Sequence, residues 1–168
     1  METLEVLQKR RSIRKFTAES VSQKDLDILL HAAMSGPSAC NFQPWEFYVI
    51  QDEERISELR MASKYTNIVA PMAIVVAGNL SRCLPERLSG YWIQDCSAAT
   101  ENILLAATDL ELGAVWCGIY PQTDAEENVR RVLQLPENEI PLNTIWIGHP
   151  DQVVSSRDQY NEKYVHIL

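Results

Sequence analysis

Helix and strand signals alternate along the 168 residues, and read alone that alternation predicts one domain of the parallel α/β kind. Three observations carry the expectation. Met72 to Ala77 is an unbroken apolar run, as a strand covered on both faces requires. Tyr91 to Leu112 reads as a long helix, apolar on several sides through Ile93, Ala98, Ile103, Leu104, Ala107 and Leu110, which predicts burial nearly all round. Glycine, proline or capping residues punctuate the chain between such runs.

Taken in order, Ser22 followed by Asp25 resembles a capping box, and Leu26, Leu29, Leu30 and Ala33 recur on one helical face, so a helix is expected from about Gln23 to Met34. Gly36 and Pro37 stop it. Pro44 introduces Trp45 to Ile50, rich in aromatic and β-branched residues and read as a strand opened by a core tryptophan. Asp52 caps a helix running through Leu59. The strand that follows Pro71 ends at Gly78, and Gly113 is the expected stop of the long helix. Ala114 to Ile119 reads as a strand, Thr123 or Asp124 as the cap of a helix carrying Val129, Val132 and Leu133, and Leu142 to Gly148 as a last strand.

Composition narrows the class. With 46% hydrophobic and 23% charged residues the chain holds enough apolar mass for one domain over residues 1–168. No apolar stretch approaches the roughly 20 residues a membrane span needs, and the Met1-Glu2-Thr3-Leu4-Glu5 start lacks the apolar core of a secretion signal, so a cytoplasmic protein is expected. Cys40, Cys83, Cys96 and Cys117 have no C-x-x-C spacing and the three histidines are scattered. Neither a metal site nor a disulfide framework is indicated, and the thiols are expected reduced and mostly buried.

The seven residues from Lys9 to Lys15 hold five of the fifteen Lys and Arg of a chain with formal net charge -8. Lys9, Arg10, Arg11, Arg14 and Lys15 surround Ser12, a set of guanidinium forks beside a hydroxyl that can hold a phosphate; a solvated basic turn is the alternative. Nucleic acid is the poorer ligand, because the rest of the surface is acidic and the sequence pI is about 4.9. The six glycines form neither G-x-G-x-x-G nor a phosphate loop, so side chains must supply the grip.

Arg10-Arg11-Ser12-Ile13-Arg14, the segment Gly36-Pro37-Ser38-Ala39-Cys40-Asn41-Phe42-Gln43-Pro44-Trp45, the Leu112-Gly113 turn into Trp116-Cys117-Gly118, and Ile147-Gly148-His149-Pro150 together resemble the FMN-dependent nitroreductase family over nearly the whole chain. The resemblance changes the expected fold to α+β, a mixed central sheet flanked by helices with a long buried central helix. It further implies a homodimer in which Lys163 to Ile167 is a strand exchanged onto the partner's sheet. It implies that Arg10 binds the FMN phosphate, helped by Ser12, by Arg157 and, with the weakest claim, by Arg11. Some relatives place a lysine two residues before the Arg157 position, where this chain has Ser155, which points to a weaker phosphate grip or to more reliance on Arg11. Arg14 would sit near the N1 and O2 edge of the flavin and raise its reduction potential. Pro37, Ser38 and Asn41 would reach the partner's flavin across the interface, although read as residues alone this segment is ordinary loop chemistry. Trp116, Cys117 and Gly118 would flank the ring, with the Cys117 backbone N–H directed at N5, and Asn67 would be a further ring contact.

The implied reaction is ping-pong. NADH or NADPH gives hydride to flavin N5 and leaves, and a small acceptor such as a nitroaromatic or quinone then collects the electrons. No nucleophile or acid–base pair is needed. The alternatives are a non-catalytic flavin-binding protein, a reductase of the same fold acting in dehalogenation or conjugated-alkene reduction, and an anion-binding module without flavin.

Overall fold

The computed structural model describes residues 1–156 and 158–168. Its elements are α1 (Thr3–Lys9), α2 (Gln23–Met34), β1 (Trp45–Ile50), α3 (Glu53–Arg60), β2 (Met72–Asn79), α4 (Tyr91–Asp109), β3 (Gly113–Gly118), α5 (Thr123–Leu133) and β4 (Glu139–Gly148), with 3₁₀ turns at Ala39–Asn41, Leu80–Arg82, Glu86–Leu88 and Glu162–Tyr164. The four strands lie in the order β1-β2-β4-β3, and every neighbouring pair is antiparallel. The parallel α/β expectation is therefore wrong and the α+β expectation right. Alternation of helix and strand gives connection lengths, and a helical connection can return to the same end of the sheet as readily as it can cross over. The one parallel pairing among the described residues is an isolated bridge, Ser12 to Ala114, which gives the sheet its mixed character at the β3 edge.

Helices cover both faces. Ile74, Val76, Ile145 and Ile147 face α2 and α4, whereas Ala73, Val75, Val115 and Trp146 face α3 and α5. This explains why β2 carries no polar alternation: Met72 through Ala77 are all fully buried, some on each face. Trp45 is core, as expected.

Ser22 caps α2 by accepting from Asp25 N at 3.1 Å, and its hydroxyl donates back to the Asp25 carboxylate at 2.7 Å. Asp52 caps α3 the same way, accepting from Arg55 N at 2.9 Å. Boundaries elsewhere shift for local reasons. β2 runs through Gly78 to Asn79 because the ladder to β1 and β4 continues, and Gly78 is required there by Trp92, whose ring would lie 2.2 Å from an added Cβ. α4 ends at Asp109, with Glu111 rather than Gly113 taking the left-handed conformation (φ 59°); Gly113 opens β3 instead. Its place there is fixed by the close approach of Ile13. Neither Thr123 nor Asp124 caps α5, whose N-cap is Gln122 with no side-chain bond. β4 starts at Glu139, three residues before Leu142, with a register shift opposite Val76 and Ala77.

The long helix is buried along one broad stripe, Trp92, Asp95, Cys96, Ala99, Thr100, Ile103, Leu104 and Ala107, while Ile93, Ala98, Ala106 and Leu110 are only half-buried in a single chain. The tail differs too. Lys163 and Tyr164 lie in the last 3₁₀ turn, and residues 165–168 are exposed and belong to no strand of this chain's own sheet. Among the described residues, no helix is long and apolar enough to cross a membrane.

Candidate functional site

α1, which the sequence reading did not separate from the basic cluster, ends with Arg10 as its C-cap. That helix sorts the cations. Lys9 turns back one turn to Glu5 at 2.6 Å, a surface pair that takes it out of the site. Arg10 Nε meets Glu101 of α4 at 3.4 Å, while Arg11 donates from Nε to the Ser155 carbonyl at 3.1 Å and from a terminal nitrogen to the Arg10 carbonyl at 2.5 Å. The start of the chain is thereby tied to its end. Between them opens a cavity of about 510 Å³ lined by Leu7, Gln8, Arg10, Arg11, Ser156, Asp158 and Gln159. Arg157, expected as a second phosphate ligand, lies outside the described residues.

Beyond Arg11 the chain runs along the free edge of β3. Ser12 bridges Ala114, and Ile13 N donates to the Ala114 carbonyl at 2.9 Å. This brings exposed Arg14 close enough to Cys117 for its charge to act on the thiol. Burial is the larger influence and pushes that thiol up to about 11, with Arg14 pulling weakly the other way. Cys117 is thus no nucleophile at neutral pH. Its Sγ donates to the Tyr65 carbonyl at 3.2 Å, which pins the loop after α3 to the sheet. Trp116 is half-buried beside it, on the α2–α4 face. At the end of the strand an added Cβ on Gly118 would meet nothing within 4 Å, so the backbone there faces open space.

Residues 36–43 form a second element. Cys40, Asn41 and Gln43 all have positive φ (49°, 58° and 50°), which costs each non-glycine residue on the order of 1 kcal/mol. Such strain persists only where surroundings impose it. Here Asp95, 6% exposed on the inner stripe of α4, accepts from Ala39 N at 2.9 Å, and the Ser38 hydroxyl accepts from Gln43 N at 3.0 Å. Pro37 and Asn41 are left exposed. α4 therefore positions both halves, through Glu101 toward Arg10 and through Asp95 toward the loop.

Asn67 is exposed, with its Oδ1 accepting from Arg60 at 3.1 Å, and no hydrogen bond joins it to Arg10–Arg14 or to Gly118 among the described residues. The residues that sequence reasoning missed are Asp95, Glu101, Tyr65 and Gln122, whose amide donates to the Gly118 carbonyl at 3.2 Å. Asp95 had a signal: it interrupts the apolar period of α4 between Trp92 and Cys96. The others act through backbone or across distant contacts that no local pattern announces. Two of the four thiols, Cys96 and Cys117, are buried; Cys83 is intermediate and Cys40 exposed, and none is in a disulfide.

Residues 7–79 and 69–149 match the family model described as the nitroreductase family. A protein of Methanothermobacter thermautotrophicus, provisionally named NADH dehydrogenase/NAD(P)H nitroreductase, is 41% identical over 169 residues that cover 99% of this chain and 87% of that protein. A crystal structure from Parabacteroides distasonis with the same provisional name superposes with a TM-score of 0.93 at 36% identity, covering 99% of this chain and 98% of the other. A provisionally named nitroreductase in complex with FMN, from Desulfovibrio desulfuricans, superposes with a TM-score of 0.83 at 32% identity, covering 100% and 98%.

Proposed function

The chain belongs to the nitroreductase family and is an NAD(P)H-dependent FMN oxidoreductase, and on that premise we propose that it works as a homodimer that reduces a small planar acceptor such as a nitroaromatic or quinone. The observation that carries the reading is the cavity between Arg10–Arg11 and the C-terminal segment, from which the chain passes through Ser12 onto β3, the strand that ends at the open Gly118. The residues fit the cofactor. Arg10 and Arg11 line the cavity together with Asp158, and their planar forks offer the donors a phosphate takes, even with Glu101 paired to the Arg10 Nε. Open space over Gly118 suits a flat ring brought against backbone, which a side chain there would obstruct.

FMN, when bound, would supply hydride-accepting and electron-donating chemistry between NADH or NADPH and a second substrate. The protein's own part is to bind and orient. Arg10 and Arg11 would hold the phosphate with Ser12 contributing its hydroxyl, and Arg14, exposed beside Cys117, would bring positive charge to the ring. Trp116, Cys117 and Gly118 would offer the β3 edge to the ring, the two buried or half-buried side chains being held back in the core. Pro37, Ser38 and Asn41, on a loop anchored by Asp95, would serve the site of a second copy, to which the 163–167 tail would also attach. Arg157 and Asn67 are carried forward as proposed contacts on the resemblance alone.

The test is direct. Purified protein should elute as a dimer with one FMN per chain, bleach anaerobically with NADH or NADPH, and recover its colour when a nitroaromatic or quinone is mixed in by stopped flow. A yellow protein that neither nucleotide bleaches would be a flavin carrier instead. A colourless monomer indifferent to added FMN would end the proposal.

A further inference from the structure

A second cleft, of about 570 Å³, lies between α3 and the strap of residues 16–20 and shares no lining residue with the Arg10–Arg11 cavity or the Gly118 edge. One side is a stripe of α3: Glu53, Ile56, Ser57 and Arg60 recur at the i, i+3, i+4, i+7 spacing of a single helical face. The rest of the lining sets the apolar Phe16, Val69 and Pro71 beside the polar Thr17, Ser20 and Gln51. The same helix packs in the core through Leu59, and Ile56 and Phe16 are partly buried against that cluster, so the floor of the cleft is held by the core while Glu53, Ser57 and Arg60 are not part of it.

Arg60 is the unusual member. Its Nη2 donates to Asn67 Oδ1 at 3.1 Å, its Nε is buried with no hydrogen-bond partner, and among the described residues no carboxylate pairs with it. Nε is sealed from solvent and cannot take a ligand directly, but a permanent cation that lines a cleft without a carboxylate partner among the described residues favours an anion on its terminal nitrogens. Glu53 sits seven residues earlier, about 10 Å along the helix axis, at the far end of the stripe and too distant to neutralise it.

We propose that this cleft binds a small aromatic or alicyclic monocarboxylate, its carboxylate on Arg60 and its apolar body between Ile56 and the Phe16–Val69 wall. A single guanidinium matches one carboxylate fork. A phosphate dianion would call for a second cation or a free helix N-terminus, and the α3 N-terminus is already capped by Asp52 and carries Glu53 and Glu54. The volume lies within the range of small-molecule sites, and a few polar groups on an apolar wall is their usual composition. The cleft shares no lining residue with the proposed flavin site, although Arg60 holds Asn67, a proposed flavin contact, which is why the flavin band is followed in the test.

The test uses the FMN-loaded protein with benzoate as probe and benzyl alcohol as its neutral counterpart. Nitrogen-15 NMR follows the Arg60 Nε–H resonance, while the visible flavin band reports any occupancy of the cofactor site. Benzoate should shift the Arg60 resonance saturably and bind at least about tenfold more tightly than benzyl alcohol, and Arg60→Gln should weaken benzoate by a similar factor. Val69→Trp, at an exposed rim position, should fill the cleft and abolish the shift even where Arg60→Gln folds poorly. Equal benzoate affinity in both variants and wild type, a response confined to the flavin band, or an Arg60 side-chain resonance that does not move through the titration would each overturn the proposal.

Discussion

Asp95→Asn tests how the fold prepares the strained loop. In the parent, a buried carboxylate accepts from Ala39 N at 2.9 Å, a charge-assisted bond worth about 1.5–3 kcal/mol. The loop it secures holds Cys40 and Gln43 in the left-handed region at on the order of 1 kcal/mol each, with Asn41 paying less because its side chain tolerates that conformation. Strain and anchor are of the same size. Asparagine keeps an oxygen acceptor but loses the charge, a difference of about 1–1.5 kcal/mol, so residues 38–43 should loosen and FMN affinity should fall about 5- to 12-fold as the exposed Pro37 and Asn41 leave their positions. Flavin fluorescence titration gives the affinity, and amide exchange at Ala39 reports the anchor itself. An affinity within twofold of the parent, together with unchanged protection at Ala39, would refute the reasoning.

Arg10→Ala should weaken FMN by about 10- to 150-fold through loss of a charge-assisted phosphate bond of about 1.5–3 kcal/mol, since the 3.4 Å pair with half-buried Glu101 is made through Nε; equilibrium dialysis measures it. Arg14→Ala should leave most binding intact and lower the flavin midpoint potential, and a redox titration that returns the parent value removes Arg14 from its role. Gly78→Ala should destabilise by about 1–3 kcal/mol, because the added methyl lands 2.2 Å from the Trp92 ring; a melting temperature unchanged by calorimetry would contradict it. At pH 8 a native thiol assay should find Cys40 reactive and Cys96 and Cys117 protected, their thiols pushed up to about 12 and about 11 by burial. Because the unfolded chain ionises these thiols near pH 9 while the folded one does not, their contribution is intact below that pH. It is lost as pH rises toward 11–12, by about 1.4 kcal/mol per unit for each thiol, which denaturation curves across that range would register.

Sequence patterns fixed the helix and strand cores where local chemistry decides them. Ser22 and Asp52 made their caps, and α2 and β1 matched the expected limits. Strand direction was illegible because it depends on pairings such as Trp45 with Gly78 and Met72 with Ile147, far apart in sequence. Gly113 shows the same limit at one residue. A glycine after a helix reads as a C-cap, yet this one is needed because Ile13, a hundred residues earlier, packs where its Cβ would be. The N-terminal basic cluster was legible as a cluster. What sorted it, Lys9 onto Glu5 and Arg10 onto Glu101, required knowing that α1 ends at Lys9.

The proposed dimer follows from where polar and apolar groups were left. A single chain exposes Leu4 and Leu7 of α1, Phe42 of the strained loop, and Tyr164, Val165 and Ile167 of the tail, while half of the longest helix is only partly covered. Surface apolar residues are ordinary singly, but these gather on the helix that ends at Arg10, on the strained loop and on the tail. The loop's own bonds run inward, to Asp95 and between Ser38 and Gln43, so the chain pays backbone strain to present Pro37 and Asn41 to something outside itself. A site built from a cation-lined cavity on one copy and a strained loop on the other would bring those costs and exposures together. The same contact would cover the apolar surface and give the strained conformation its use, which neither copy can do alone.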